Sequence, residues 1–447
     1  MIKIHFVGIG VTGMFALACI ALEQGYKISG SDLVNSESLE NLSKKGAKIY
    51  INHSENNITE DTNLLVYSGA IKKDNPEIIK AKKLKIKILS RSQFLGLITK
   101  NFKNLIAVSG SHGKTTTTSM ITSILMDSGK DPTAIIGACF DKINGNSRLG
   151  KSDIAVCEAC EYLDSFLDLN PKIGVILNID FEHIDYFKNI ENEKNSFLKF
   201  AEKSEIIIIN KDDNNSYEIS KKLKNKKIIY YGIKNNSEFM ARNIMACDDF
   251  CYKFDIFYKN QKISNIKLNI FGEHNILNAL ASFAACYYIG IDFQDIINGI
   301  ENFKGAKRRF EFLEEINGVK IFDDYAHHPA EIRATLNIAQ KMNFNNIWVV
   351  FQPHTYSRTY FLFDEFVECL SMADRVIITD ILPVREKNIY NIKSEDLAKK
   401  IKNSIVIKEF DKIAEFLKKN IKKGDVIMHM GAGDIKCADV IREKLRN

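Results

Sequence analysis

The stretch Asn104-Leu-Ile-Ala-Val-Ser109-Gly110-Ser111-His112-Gly113-Lys114-Thr115-Thr116-Thr117-Thr118-Ser119-Met120-Ile121 decides the fold class of this chain. An apolar run of strand character enters a glycine turn, and Met120, Ile121, Ile124 and Leu125 then fall on one helical face. A strand, a glycine turn and a helix in that order place backbone N–H groups where they can cradle phosphate. Lys114 would then reach the transferred phosphate and Thr115 would offer a hydroxyl to Mg²⁺. The usual loop of this kind has a further Gly six positions before its Lys. Val108 stands there, so the loop is a shorter, nonstandard one. The bland alternative is a structural glycine turn beside an exposed lysine.

Outward from this point the chain reads as α/β throughout. On the N-terminal side, strand-like Ile2–Val7, Tyr26–Gly30, Ala47–Ile51 and Leu64–Tyr67 alternate with helix-like segments, which implies βαβ units on a parallel sheet. On the C-terminal side, Asp153–Cys157, Ile173–Leu177 and Glu205–Asn210 continue the phosphate-loop domain, and Cys251–Tyr258 with Ile263–Phe271 suggest added antiparallel strands. The helix after Asn275 is apolar on most sides and reads as central. Beyond Gly305 strands and helices alternate again, through Ile347–Phe351, Val376–Leu382 and Val426–Met430. The expectation is three α/β domains: 1–101, Rossmann-like; 102–310, a P-loop ATPase-type core with antiparallel additions; and 311–447, Rossmann-like. Six prolines and no Gly/Ser-rich linker imply short joints and domains that close over shared clefts.

Composition narrows the function. A chain of 447 residues, 45% hydrophobic and 26% charged, has ample core material and is not disordered. The net charge of +6 is a small difference between 62 basic and 56 acidic residues, too dilute to indicate nucleic-acid binding. Residues 6 to 22 carry no charge, but the run is short for a membrane span and is broken by Gly8, Gly10 and Gly13. Nine scattered cysteines do not make a secreted disulfide framework. A cytoplasmic enzyme without membrane insertion is expected.

Gly8-Ile-Gly10-Val-Thr-Gly13 follows a strand and precedes Asp32 by dinucleotide-like spacing. Alone it suggests NAD; beside a phosphate loop it fits another diphosphate ligand better, such as a nucleotide sugar. Glu158 and His183 lie at carboxyl ends of strands in the phosphate-loop sheet, where open α/β sheets place ligands. Oxygen donors with one imidazole suit Mg²⁺ or Mn²⁺ better than zinc. Glu161 and Asp185 are weaker candidates, and Cys157/Cys160 read as core thiols. Four later segments carry polar clusters: Gly272 to Asn278, Gly305 to Phe310, Asp323-Asp324-Tyr325-Ala-His327-His328-Pro329, and Gln352-Pro-His354-Thr355-Tyr-Ser-Arg358-Thr.

Taken in order, these segments resemble the Mur ligase family of ATP-dependent, amide-forming enzymes, over essentially the whole chain as far as Gly431-Ala-Gly433-Asp434. The resemblance implies UDP-N-acetylmuramate and L-alanine as substrates, ATP with Mg²⁺ (or Mn²⁺), and a monomer or weak homodimer in the bacterial cytoplasm. It implies Gly110, Ser111, His112, Gly113, Lys114, Thr115 and Thr116 at the ATP phosphates, Asn275 at adenine, Asp324 at ribose and Arg309 near the phosphates. Thr115, Glu158 and His183 would hold the metal. Gly10, Asp32 and Ser68 would lie near UDP and Arg148 near the muramyl portion, while His354 and Arg358 would hold the amino acid. Lys114, Glu158, His183, Arg309 and His354 form the implied catalytic set. The chain departs from the family pattern at Cys160 and Tyr162, at Glu182, and at Thr355, where many relatives carry Arg. Phe197 occupies the place of a carboxylated Lys found in several members. Rival readings are a murein tripeptide ligase, a folate-glutamate ligase, an NAD-dependent oxidoreductase and a nucleotide sensor without turnover.

Overall fold

The computed structural model describes residues 2–181, 183–247, 251–383, 386–433 and 436–446, the side chains of Ile184 and Asp185 excepted. The chain divides into two compact units, Met1–Ala306 and Lys307–Asn447.

The first unit begins with a parallel sheet of β1 (Lys3–Val7), β2 (Lys27–Asp32), β3 (Lys48–Ile51), β4 (Leu64–Tyr67) and β5 (Lys87–Ser90), in the order β3-β2-β1-β4-β5. Its helices are α1 (Thr12–Glu23), α2 (Glu37–Lys44), α3 (Pro76–Lys83) and α4 (Arg91–Thr99). The order reverses at β1, which puts the switch point, and so the ligand crevice, above the glycine turn that leaves β1.

The second sheet of this unit comprises β6 (Asn104–Ser109), β7 (Thr133–Phe140), β8 (Gly145–Arg148), β9 (Ile154–Glu158), β10 (Ile173–Ile176), β11 (Ile206–Asn210), β12 (Lys227–Gly232), β13 (Phe239–Cys247), β14 (Cys251–Tyr258) and β15 (Gln261–Leu268). Their order is β15-β14-β13-β12-β11-β10-β6-β9-β7-β8. β6 lies between β10 and β9, parallel to both, so the phosphate loop leaves a strand buried on both sides. The expected antiparallel addition is present: β14 pairs antiparallel with β13 and with β15. Helices α5 (Lys114–Asp127), α6 (Ile184–Phe187), α7 (Ile190–Lys203), α8 (Asn214–Ser220), α9 (Glu273–Tyr288) and α10 (Phe293–Glu301) connect them. α9 is buried at every position from Ala279 to Cys286, as its apolar periphery predicts. The antiparallel β7–β8 pair is short and polar at Gly145–Arg148, which hid it from a reading based on apolar runs.

The second unit is a sheet of β16 (Glu311–Ile316), β17 (Val319–Asp324), β18 (Ile347–Phe351), β19 (Arg375–Ile378), β20 (Ser404–Val406) and β21 (Val426–Met430), ordered β16-β17-β21-β18-β19-β20. Only the β16–β17 hairpin is antiparallel. Helices α11 (Pro329–Gln340), α12 (Tyr356–Phe361), α13 (Phe363–Leu370), α14 (Ser394–Lys400), α15 (Phe410–Asn420) and α16 (Lys436–Arg446) complete it. β18 and β21 are buried throughout, the pattern of parallel strands covered on both faces. No helix among the described residues is long and apolar enough to cross a membrane.

Candidate functional site

The departure at Val108 has a structural reason. β6 continues through Val108 to Ser109, and Val108 pairs with Glu158 on one side and Val175 on the other. The loop therefore begins only at Gly110. Gly113 caps α5 with φ +84°, and a Cβ there would fall 2.6 Å from Asn278 Oδ1, so glycine is required on both counts. The loop is pinned from β10's continuation. Ser111 N–H donates to the Asn178 carbonyl at 3.1 Å, His112 N–H to Asn178 Oδ1 at 2.8 Å, and Asn178 Nδ2 back to the His112 carbonyl at 3.1 Å. Asp180 N–H donates to Ser111 Oγ at 2.8 Å. The rest of the α5 first turn, Thr115 to Thr117, follows directly on this rigid arc.

Lys114 Nζ folds back over the loop. It donates to the Gly110 carbonyl, to the Ser111 carbonyl at 3.1 Å, and to both Glu161 oxygens at 3.1 and 3.0 Å. Glu161 is buried and also faces His183 Nε2 at 3.4 Å. Burial opposes its charge, but the Lys114 ammonium, and after it the His183 ring, hold its carboxyl below the ordinary range. Glu161, read from sequence as a weaker candidate, is thus the residue that joins Lys114 to His183. His183 has φ +53° and its ring packs at a tilt against Tyr162, ring centroids 4.5 Å apart and planes 36° from parallel. Tyr162, a departure from the family pattern, therefore supports the His183 ring.

Glu158 stands at the end of β9 and accepts from Gly137 N–H at 2.6 Å. A Cβ at Gly137 would lie 2.6 Å from Glu158 Oε2, so that carboxylate nests against bare backbone. Among the described residues no group of three or more His, Cys, Asp and Glu is arranged to hold a metal. The donor chemistry still suits Mg²⁺: the Thr115 hydroxyl and one Glu158 oxygen are hard ligands at the mouth of a phosphate loop, and a magnesium ion keeps several waters and ligates the phosphates themselves. His183 is engaged with Glu161. Glu182, Asp434 and the side chain of Asp185 lie outside the described residues.

At the start of α9, Asn275 and Asn278 bond to each other, Asn278 Nδ2 to Asn275 Oδ1 at 2.9 Å, and Asn275 Nδ2 donates to the Phe271 carbonyl at 2.6 Å. Asn278 in turn abuts Gly113, so this end of α9 is part of the loop's surroundings.

In the first sheet, the Ser31 carbonyl accepts from Gly8 and Ile9 N–H, at 2.8 and 3.1 Å, and Asp32 Oδ2 accepts from Gly10 N–H at 2.9 Å. Ser68, at the end of β4, packs against Gly8. α1 starts at this turn with no side-chain cap, which leaves its first N–H groups available to an anion. Arg148, on β8, is paired with Asp131, and neighbouring Asn146 donates to the Thr12 carbonyl of α1 at 2.9 Å. The Arg148 region is thereby tied to the glycine-turn helix.

The second unit gathers its own cluster. Asp324 is buried and accepts from Ala326 N–H at 2.8 Å, Phe310 N–H at 2.9 Å and Thr335 Oγ1 at 3.1 Å. Burial, only partly offset by Arg309, pushes its carboxyl up to about 6. Three of roughly four acceptor positions are filled, so one is left for a further donor. Arg308, not Arg309, is the anchored member of the basic pair: its Nε donates to Asp323 Oδ2 at 2.9 Å, and its other nitrogens reach the Gly431 and Gly433 carbonyls. Arg309 is exposed. His354 and Arg358 lie together, Nδ1 to NH1 at 3.4 Å, with the His327 ring 5.5 Å from that of His354. Burial, aided by His327 and Arg358, lowers His354 to about 4, so its ring is neutral near pH 7. Burial also lowers Arg358. Thr355 takes φ +69° and caps α12 by accepting from Arg358 N–H at 3.4 Å. Ser357 is held through its N–H and hydroxyl by Glu386, at 2.8 and 2.5 Å. Glu386 had no signal in the sequence, lying outside every motif.

The description "Mur ligase family, catalytic domain" matches residues 3–103, "Mur ligase middle domain" residues 108–286, and "Mur ligase, glutamate ligase domain" residues 308–433. The chain is 46% identical to the UDP-N-acetylmuramate–L-alanine ligase of Caldicellulosiruptor saccharolyticus, with 99% of each chain covered. It is 47% identical to the same-named protein of Caldanaerobacter subterraneus, covering 97% of this chain and 95% of that one. The crystal structure of the UDP-N-acetylmuramate–alanine ligase of Thermotoga maritima superposes with a TM-score of 0.83 at 26% identity, covering 99% of both chains. A murein peptide ligase of Psychrobacter arcticus, 24% identical with 100% of this chain and 99% of that one covered, shares the fold at a TM-score of 0.74.

Proposed function

Since the chain belongs to the Mur ligase family, we propose that it is an ATP-dependent ligase joining L-alanine to the lactyl carboxylate of UDP-N-acetylmuramate, in cytoplasmic peptidoglycan precursor synthesis. The observation that carries this reading is Lys114, held by the loop carbonyls and by Glu161, which also faces His183, at the N-terminus of α5, with Glu158 at the end of β9, the strand next to β6.

Joining a carboxylate to an amine in water is uphill, so the acid first needs a leaving group. The lactyl carboxylate attacks the γ-phosphate of ATP and displaces ADP, giving an acyl phosphate. The N–H groups from Gly113 to Thr116, at the start of α5, bind the phosphates, and Lys114 follows the transferring group, trading its loop-carbonyl bonds for phosphate oxygens. Thr115 and Glu158 would hold a Mg²⁺, which when bound neutralises phosphate charge and polarises the transferred group. Glu161 keeps Lys114 oriented and His183 fixed beside it. The amine of alanine then attacks the acyl carbon, and phosphate leaves. Arg358 pairs with the alanine carboxylate, and neutral His354 accepts a hydrogen bond without adding a second positive charge. In the first sheet, the uncapped N-terminus of α1, which the Gly8–Gly10 turn positions, takes the diphosphate, with Asp32, Ser68 and Arg148 on the sugar-nucleotide side.

The test incubates purified protein with ATP, Mg²⁺, UDP-N-acetylmuramate and each amino acid singly, and weighs the products. Alanine-dependent ADP release with a product one alanyl unit heavier is expected. Incorporation of a murein tripeptide in place of alanine would move the chain to another branch of the family, and ATP binding without turnover would end the ligase reading.

A further inference from the structure

One buried charge cluster lies outside the nucleotide and amino-acid loops. Glu77, in the first turn of α3, is fully buried. Its Oε1 accepts from Asn57 Nδ2 at 2.6 Å and from Ser54 N–H at 3.3 Å. Its Oε2 accepts from the Ser31 hydroxyl at 2.6 Å, with the His5 and His53 rings 3.5 and 3.4 Å away. Burial opposes the charge, yet the His5 ring first, then Ser31 and Asn57, hold the carboxyl below its ordinary range. A buried carboxylate is a costly way to pin a helix to a sheet when an apolar side chain would do, and His5 Nε2, 3.5 Å from Glu77, makes no hydrogen bond, so the bonded members are Ser31, Asn57 and Ser54.

Hydrogen accounting then sets the His53 ring. Ser31 has one hydroxyl hydrogen and gives it to Glu77, while its oxygen also lies 2.9 Å from His53 Nδ1. That nitrogen must therefore carry the hydrogen, and in the neutral ring Nε2 is left as a lone pair. Of the two rings of the cluster His53 is the one that reaches the surface, 13% exposed, in the loop leaving the carboxyl end of β3. The adjacent Asn52 N–H bonds the Asp32 carbonyl at 2.8 Å, so this loop runs beside the end of β2. In sheets of this kind the nucleoside of a ligand lies beyond the acidic end of β2. The Ser31 carbonyl, meanwhile, is the acceptor for the Gly8 and Ile9 N–H groups that shape the diphosphate turn.

Resting on the reading of the first sheet as the UDP-sugar site, we propose that Glu77 is a positioning residue for the uridine: through Ser31 it holds His53 as the Nδ1–H tautomer, presenting Nε2 as an acceptor to a hydrogen-bond donor of the nucleoside. Glu77→Gln tests this by an inversion. The Gln carbonyl must face Asn57 and Ser54, which both donate, so its NH₂ faces Ser31. Ser31 then accepts there and turns its hydrogen to His53 Nδ1, and the ring proton moves to Nε2.

Nitrogen NMR of the labelled rings near neutral pH reads the tautomer, and calorimetry without ATP reads UDP-N-acetylmuramate binding. The expected result is Nδ1–H in the wild type and Nε2–H in Glu77→Gln, with sugar-nucleotide affinity down by about tenfold and KM for ATP and alanine changed by less than about twofold. Ser31→Ala, a mild change should Glu77→Gln fold poorly, breaks the same relay and lowers the same affinity. A wild type that binds no UDP-N-acetylmuramate defeats the reading of the site. A wild type that binds it, with either variant binding equally well or with His53 protonated on Nε2, overturns the role of Glu77 alone.

Discussion

The phosphate loop of the first unit and the Pro353–Thr359 loop of the second both present a cation at the carboxyl end of a parallel sheet, and they manage it in opposite ways. Lys114 is balanced: two Glu161 oxygens and two loop carbonyls surround its ammonium. Arg358 has no carboxylate within ion-pair distance among the described residues; Glu331 and Glu386 act on it only from farther off, and burial lowers its pKa. Both arrangements suit the ligands proposed for them. A nucleotide brings several negative charges and can displace a carbonyl from a lysine. A small zwitterion brings one carboxylate, so a guanidinium already desolvated and bonded to a neutral ring rather than to an acid favours its capture.

If that contrast is right, Lys114→Ala should have the largest effect and a double one. Alanine-dependent ADP release should fall by about 10³-fold. The variant should also lose about 3 kcal/mol of stability in denaturant titration, because Glu161 stays buried without its partner. Combining Lys114→Met with Glu161→Gln should return most of the stability and none of the activity; equal stability of wild type and Lys114→Ala would break the comparison.

The two units should also respond to acid with opposite sign. Glu161 has a folded pKa below its unfolded value, so its contribution is present above the ordinary glutamate range and is lost as pH falls through the folded value. Asp324 is the reverse: its folded pKa, about 6, lies above the unfolded 3.8, so its contribution is greatest below the unfolded value and declines as pH rises to about 6. A difference of that size between the folded and unfolded carboxyl is worth about 3 kcal/mol at most. The stability of wild type relative to Asp324→Asn should therefore grow as pH drops from 7 to 4, while that relative to Glu161→Gln should shrink below about pH 4.5. Parallel slopes in urea titrations would show that these two carboxylates are not held as described.

Arg358→Lys sharpens the comparison from the other side. It keeps the charge and removes the planar fork, so KM for alanine should rise by about 10- to 100-fold with stability within about 0.5 kcal/mol of wild type. A stability loss as large as that of Lys114→Ala would mean Arg358 is structurally paired after all. The smallest effect belongs to Thr355→Gly. Relief of the positive φ, about 1 kcal/mol, opposes loss of the α12 cap, also about 1 kcal/mol. The net melting shift should be near zero, with alanine KM raised a few-fold by the freer loop.

Much of the architecture was legible because apolar runs flanked by glycine turns carry their own punctuation. β6, β10, β11, β18 and β21 fall within a residue of their expected positions, since strands buried on both faces need continuous Val and Ile. The polar strands β8 and β16 escaped, because neither has such a run. In the site, the glycine loop and its Lys were readable from local order. The weight of Glu161 was not, because its importance lies in contacts with Lys114 and His183, 47 and 22 residues away. Glu77 and His53 belonged to no motif, and nothing in the Gly305 to Phe310 cluster singled out Arg308 until Asp323 appeared beside it.

The order of residues alone determined three α/β sheets, a glycine turn between strand and helix at Gly110–Thr115 and membership in a family of ligases, because periodicity, glycine spacing and motif order are local properties of the chain. Only the folded arrangement decided which acids and bases are already committed: Glu161 to Lys114, Asp324 to the Phe310 and Ala326 amides, Glu77 to Ser31. The reason is that a charge's partner and its desolvation are set by neighbours distant in sequence, and those two effects govern what a titratable side chain can do.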